Sequence, residues 1–179
     1  YAVAASTSGG VTTTTLQLGA SADDLNCVIT TVEAATATYK VRVLAPNNTR
    51  YEMARTITVE NGGAVTLVGG RNTTVAATGA FRLFNVKDVN SELRLDSVTL
   101  TGGYASTFGG AIFAVDATVT LNDVKVRNCE ADTSGGAVYA LRSTLVFTDV
   151  ALTSNTAAQY GGAVGLGGNN GDADTAMGT

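Results

Sequence analysis

Apolar residues between positions 93 and 164 fall into columns. Aligned on Gly109-Gly110, Gly135-Gly136 and Gly161-Gly162, three pairs set 26 residues apart, the chain groups Leu93 with Val119 and Leu145, and Leu95 with Leu121 and Phe147. Val98, Val124 and Val150 form a third column, and Leu100, Val126 and Leu152 a fourth. Ala105, Ala131 and Ala157 share another, as do Ile112, Val138 and Val164. Within each copy the apolar positions alternate with polar ones, the period of a strand with one buried face. A fixed period with position-specific chemistry predicts a solenoid, one unit stacked on copies of itself. Stacking in register requires parallel strands, which ordinarily need a helical crossover. No helical period separates these strands, so the coil itself makes the connection. The expectation is an all-β chain wound as a parallel β-helix of about five coils.

In the copy from 119 to 144, Val119 and Leu121 point inward, Asn122-Asp123 turns the chain, and Val124 and Val126 point inward again. Ala131 fills a tight corner, and Gly135-Gly136 takes a bend closed to residues with a Cβ. Upstream, Val41 and Val43, Ile57 and Val59, Val65 and Leu67, and Phe84 and Val86 read as strands of less regular coils, with an insertion near 87–90. Ser21-Ala22-Asp23-Asp24 reads as a helix start with Ser21 as N-cap. Leu25, Val28, Ile29 and Val32 follow at helical spacing, so a short helix over 21–36 is expected to cover the open edge of the first coil.

Residues 1–20 read as an arm or first strand, 21–168 as the capped β-helix, and 169–179 as a flexible tail or truncated continuation. After Val164 the pattern dissolves into Gly165–Gly171, and no amphipathic helix follows to cover the last coil. A tail, an adjoining domain or another copy of the chain is the expected cover.

Composition narrows the function. With 45% apolar and 15% charged residues, the chain can build a core and does not read as disordered. The net charge is −4 and Lys and Arg are scattered singly, so the footprint of a nucleic-acid binder is missing. No run of about 18 apolar residues exists to span a bilayer as a helix. The chain opens at Tyr1 without a basic-then-apolar leader and reads as a mature or trimmed piece. Asn47-Asn48-Thr49 and Asn72-Thr73-Thr74 are N-glycosylation triplets if the source is eukaryotic. Cys27 and Cys129 lie several coils apart, beyond the ~7 Å Cα separation a disulfide tolerates. Both read as small buried residues.

The chain has no His, which removes Ser-His-Asp and Cys-His catalysis and His-ligated metals. The glycine pairs precede no Lys-Ser/Thr and are turns rather than phosphate loops. The sharpest constellation is Asp123, Lys125 and Arg127 on one outer strand face, with Asp149 a coil beyond Asp123. Two carboxylates stacked ~5 Å apart could share Ca²⁺, and a neighbouring Lys or Arg could act as base in β-elimination of a uronate. The competing reading is a solvated face with intrastrand charge pairing. Thr99 and Thr101 are succeeded by Lys125/Arg127 and Ala151/Thr153, so no Thr array propagates. Phe108 and Tyr160, with Phe113 and Tyr139, form a candidate aromatic stack that suits packing or a sugar face.

The repeats from Tyr104 through Phe108-Gly109-Gly110-Ala111-Ile112, Gly135-Gly136-Ala137-Val138, and Asn155 through Tyr160-Gly161-Gly162-Ala163-Val164 resemble the GGAI and FxxN repeats of polymorphic outer-membrane-protein families. These belong to the wider right-handed, pectin-lyase-like β-helices. The resemblance covers about residues 80–166 and is looser from 22 onward. The motif Asn is present at Asn155, is replaced by Cys129, and becomes Gly103 a coil earlier. The resemblance implies right-handed coiling and a stalk or adhesive surface rather than a catalyst. The function expected is a non-catalytic, secreted or cell-surface structural and adhesive module, with no cofactor or metal. Its partners would be further copies, adjoining domains at the C-terminal coil, or glycans. A polysaccharide-lyase-like enzyme acting through Asp123, Lys125, Arg127 and Asp149, or a glycan-binding domain, is the alternative.

Overall fold

The computed structural model describes residues 2–168 and 175–177. Two strands, β1 (Ala2–Ser8) and β2 (Val11–Gln17), form an antiparallel hairpin turned at Gly9-Gly10. The helix α1 (Asp24–Glu33) comes next, followed by β3 (Tyr39–Leu44), β4 (Arg50–Met53) and β5 (Ile57–Val59). The second all-strand coil holds β6 (Ala64–Ala77) and β7 (Phe84–Lys87), and the third β8 (Glu92–Thr101), β9 (Tyr104–Ala105) and β10 (Ile112–Val115). The fourth comprises β11 (Thr118–Asn122), β12 (Lys125–Arg127), β13 (Glu130–Ala131) and β14 (Val138–Leu141). The fifth repeats it as β15 (Thr144–Thr148), β16 (Ala151–Thr153), β17 (Thr156–Ala157) and β18 (Val164–Gly167), before β19 (Thr175–Met177).

Equivalent strands of successive coils pair in parallel. Ile57, Phe84, Ile112, Val138 and Val164 form one continuous file. Leu16, Val43, Leu67, Leu95, Leu121 and Phe147 form another through the largest sheet. The fold is thus the expected β-helix, with about six turns rather than five. The extra turn is β2 followed by α1, whose sequence carries no copy of the repeat. Early coils depart from the 26-residue step: β3 to β6 advances 24 at Val41/Val65, and β6 to β8 advances 28 at Val65/Leu93.

The N-terminal cap works by satisfying strand edges. Asn26 Nδ2 donates to Glu52 O (2.5 Å) while Asn26 Oδ1 accepts from Ala54 N–H (3.0 Å). Glu33 Oε1 accepts from Thr58 N–H at 3.1 Å and the carboxylate also grips Arg55 bidentately. These bonds occupy backbone groups on β4, just after it at Ala54, and on β5, satisfying an edge that a further strand would otherwise pair. Ser21 is not the N-cap. Asp23 holds that position with near-helical dihedrals (φ −91°, ψ −8°) and makes no side-chain cap bond, whereas a capping side chain reaches back from an extended residue. Cys27 is also corrected: it is exposed, because Leu25, Val28, Ile29 and Val32 define the buried helix face and position 27 lies off it. Cys129 is buried, and both thiols are free.

Corners of the regular coils are single residues with positive φ. Ser97, Asp123 and Asp149 have φ of 54°, 52° and 53°, and Asn128 and Ser154 repeat the device at 53°. In each glycine pair only the first residue is left-handed: Gly109, Gly135 and Gly161 have φ of 65°, 67° and 56°. The second glycine answers a different demand, close approach. A Cβ on Gly136 would sit 2.2 Å from Gly162 O and 2.3 Å from Thr156 O of the next coil.

The C-terminal coil differs from the one beneath it. Val119, Leu121, Val124 and Val126 are each 0% exposed, but their successors Leu145, Phe147, Val150 and Leu152 are only partly buried. β19 pairs antiparallel with β18, Val164 opposite Met177, so one of the three walls carries a strand beyond the last coil. Residues 169–174 and 178–179 of the expected tail lie outside the described residues.

Candidate functional site

The residues singled out on the outer face sit on β12 and its corners. Lys125 and Arg127 project outward on either side of buried Val126. Thr99 and Thr101 lie beside them on β8, and Ala151 and Thr153 on β16. This floor is flat because three strands align in register and outward residues occupy alternate positions.

A wall rises along one side of it. Between Val68 and Thr73, β6 carries extra residues that β8 lacks, and this bulge projects from the sheet. The preceding coil braces it. Asn47 Oδ1 accepts from Arg71 N–H at 2.6 Å, Asn48 N–H donates to Arg71 O at 2.6 Å, and Asn72 Nδ2 donates to Asn48 Oδ1 at 3.0 Å. Thr73 Oγ1 donates to Pro46 O at 2.8 Å and accepts from Gly70 N–H at 2.9 Å. Floor and wall enclose a groove of two lobes, about 410 and 460 Å³, which share Asn72, Thr99 and Lys125. Arg71 and Asp123 line the first lobe, Arg127 the second.

Three of the four proposed charged residues therefore meet in one groove. Asp149 lines neither lobe; it occupies the equivalent corner of the last coil. Asp123 accepts a hydrogen bond from Ser97 Oγ at 3.0 Å, so corner geometry and an inter-coil bond account for it. The expected charge pairing along β12 is absent among the described ion pairs. Pairing within a strand occurs instead on β8, where Arg94 holds Asp96 at 2.8 Å. No cluster of three or more metal-ligating side chains occurs among the described residues.

Cations are unevenly used. Of the eleven Lys and Arg, five form ion pairs among the described residues: Arg50, Arg55, Lys87, Arg94 and Arg142. Arg82 lies 4.7 Å over the Phe113 ring, and its burial lowers the guanidinium pKa. Of the five left, Arg71, Lys125 and Arg127 line the groove. One carboxylate, Asp123, accompanies them. The groove is locally basic on an acidic protein, an arrangement that attracts anions.

Both glycosylation triplets belong to the groove wall. Asn47 and Asn72 are exposed, while Thr49 and Thr73 are buried and bonded to turn carbonyls. The aromatic residues divide. Phe108, Phe113 and Tyr139 pack together, with Phe108 and Tyr139 centroids 4.5 Å apart, whereas Tyr160 stays 57% exposed. Ser134 separates it from Phe108 in the same column. The motif position at Asn155 is structural: its side chain accepts from Cys129 N–H (3.0 Å) and donates to Val126 O (2.9 Å), tying two coils together. The wall is the part of the site that sequence reasoning missed. Its signal was the shift from a 24- to a 28-residue step across β6.

No protein-family model, no curated protein and no solved structure matches this chain.

Proposed function

We propose that this chain is a non-catalytic structural and adhesive β-helix module of a secreted or cell-surface protein, assembled with other domains or copies through its last coil. The half-covered interior of that coil carries this reading: Leu145, Phe147, Val150 and Leu152 continue files that are fully buried one coil earlier. Right-handed, pectin-lyase-like coiling with outer-membrane-protein-type repeats belongs to the same reading, as does glycan attachment at Asn47 and Asn72.

A second reading, glycan binding along the groove, is favoured by Arg71, Lys125 and Arg127, which form no ion pair among the described residues. Three cations beside one carboxylate, Asp123, suit holding an anionic chain along the groove. Incubation with polygalacturonate or alginate tests both. The expected result is no rise in unsaturated-product absorbance, with retention on the immobilised polymer that weakens at least tenfold in Lys125→Ala/Arg127→Ala. A steady production of unsaturated uronate would overturn the non-catalytic assignment.

A further inference from the structure

Asn72 stands where the two lobes of the groove join, and it is also the first residue of an N-glycosylation triplet. It lines both lobes, and Thr74, which completes Asn72-Thr73-Thr74, lines the second. The other triplet is placed differently. Asn47 braces the wall from the preceding coil through its bond to Arg71 N–H, and it lines neither lobe. One attachment point therefore lies in the groove with Lys125, and the other lies outside it.

The wall cannot carry a modified Asn72 aside. The Asn72 backbone is left-handed (φ 58°), and its Nδ2 donates to Asn48 Oδ1 at 3.0 Å. The second Nδ2 hydrogen is the one a sugar would replace, so attachment leaves this tether in place. Thr73, 1% exposed, fastens the next position by donating to Pro46 O at 2.8 Å. Gly69 and Gly70 leave no slack at the base of the bulge. A Cβ on Gly69 would lie 2.4 Å from Ser97 O, and one on Gly70 would lie 2.2 Å from Asn47 Oδ1. A bulky sugar chain on Asn72 is thus held at the junction of the lobes, across the path of any polymer lying along the groove.

Burial also fixes the timing. The triplet runs within β6, where Thr74 N–H donates to Thr49 O at 2.8 Å, and its middle residue is enclosed. A transferase that must grip all three residues has access only before this coil closes. Each molecule is committed once, during folding, and a mature preparation holds two fixed populations.

We infer that a glycan on Asn72 and an anionic polymer in the groove exclude each other, so that occupancy of this one triplet decides which molecules bind. The inference rests on the reading of the groove as a glycan-binding surface, and adds its regulation.

The test passes the full chain, secreted from a eukaryotic host, over immobilised polygalacturonate, beside the same chain from a host without N-glycosylation. Mass spectrometry of the retained and unretained fractions reads occupancy at each site. Asn72 occupancy is expected to be at least tenfold higher in the unretained fraction, with Asn47 occupancy equal in both and the same circular dichroism spectrum. Retention of molecules that carry the Asn72 glycan, or its absence from every molecule, would overturn the inference and leave groove binding intact. A changed spectrum in the unretained fraction would overturn it too, because the wall would then have moved. If the glycan-free chain is not retained, the groove-binding reading falls and takes the inference with it.

Discussion

Replacing the second glycine of a pair by alanine separates the effect of backbone conformation from that of stacking. Gly136 and Gly162 occupy the same corner one coil apart, and neither has the left-handed φ of the glycine before it. At Gly136 the new Cβ would lie 2.2 Å from Gly162 O and 2.3 Å from Thr156 O, where real Cβ atoms essentially never come under 3.0 Å. Relief needs a separation of about 0.8 Å between two backbones, because neither obstacle is a side chain that can swing away. Overpacking alone costs about 1–3 kcal/mol. Opening the corner also weakens inter-coil bonds such as Gly136 N–H to Gly161 O, each worth about 1 kcal/mol. The expected loss for Gly136→Ala is therefore about 3–5 kcal/mol. At Gly162 the nearest obstacle is Asn155 O at 3.4 Å, an ordinary contact. There the change is expected to be neutral, or to stabilise by up to about 1 kcal/mol through the unfolded chain. Urea unfolding followed by circular dichroism at micromolar protein measures both. Losses within about 1 kcal/mol of each other would refute the close-approach explanation.

Position along the stack should also grade core substitutions: Leu93→Ala is expected to cost about 3 kcal/mol and Leu145→Ala, in the same file, about 1 kcal/mol, by the same urea titration. Burial pushes the Cys129 thiol up to about 11 from 9.0, and the Tyr51 phenol up to about 12 from 10.0. The folded state keeps these protons longer than the unfolded chain. Their contribution is thus complete below pH 9 and falls as pH rises through about 9–12, and Cys129→Ala is expected to flatten the early part of that decline. In the native protein at neutral pH, a thiol reagent should modify exposed Cys27 and spare Cys129 until urea is added.

The regular coils were legible because each interior position recurs with the same chemistry. Ile112, Val138 and Val164 needed only their spacing to be placed in one file. Less regular parts were hidden for specific reasons. β4 was overlooked because Arg50 and Glu52 mask the alternation of buried Tyr51 and Met53. The β1–β2 hairpin hides because every residue of β1 is exposed and burial begins to alternate in β2 only at Thr14 and Leu16. The groove could not be foreseen from Lys125 and Arg127, since its wall comes from residues 69–72, far away in sequence and outside the repeat. Asp123 and Asp149 drew notice as a stacked carboxylate pair, but their recurrence reflects a corner that needs positive φ, which Asp and Asn tolerate better than most residues. Cys27 was legible and misread, since the helical spacing of Leu25 and Val28 already excludes it from the buried face.

Distances between spin labels along one outward file test the stacked-coil account most directly. Lys40, Ala64, Glu92, Thr118 and Thr144 are consecutive neighbours across the main sheet. At ~4.8 Å per strand, labels on backbone positions 40 and 118 should lie about 14 Å apart, and labels on 40 and 144 about 19 Å. A 26-residue step that lengthens the mean distance by one strand spacing is the predicted result. An unchanged distance, or an increase of several strand spacings, would contradict it.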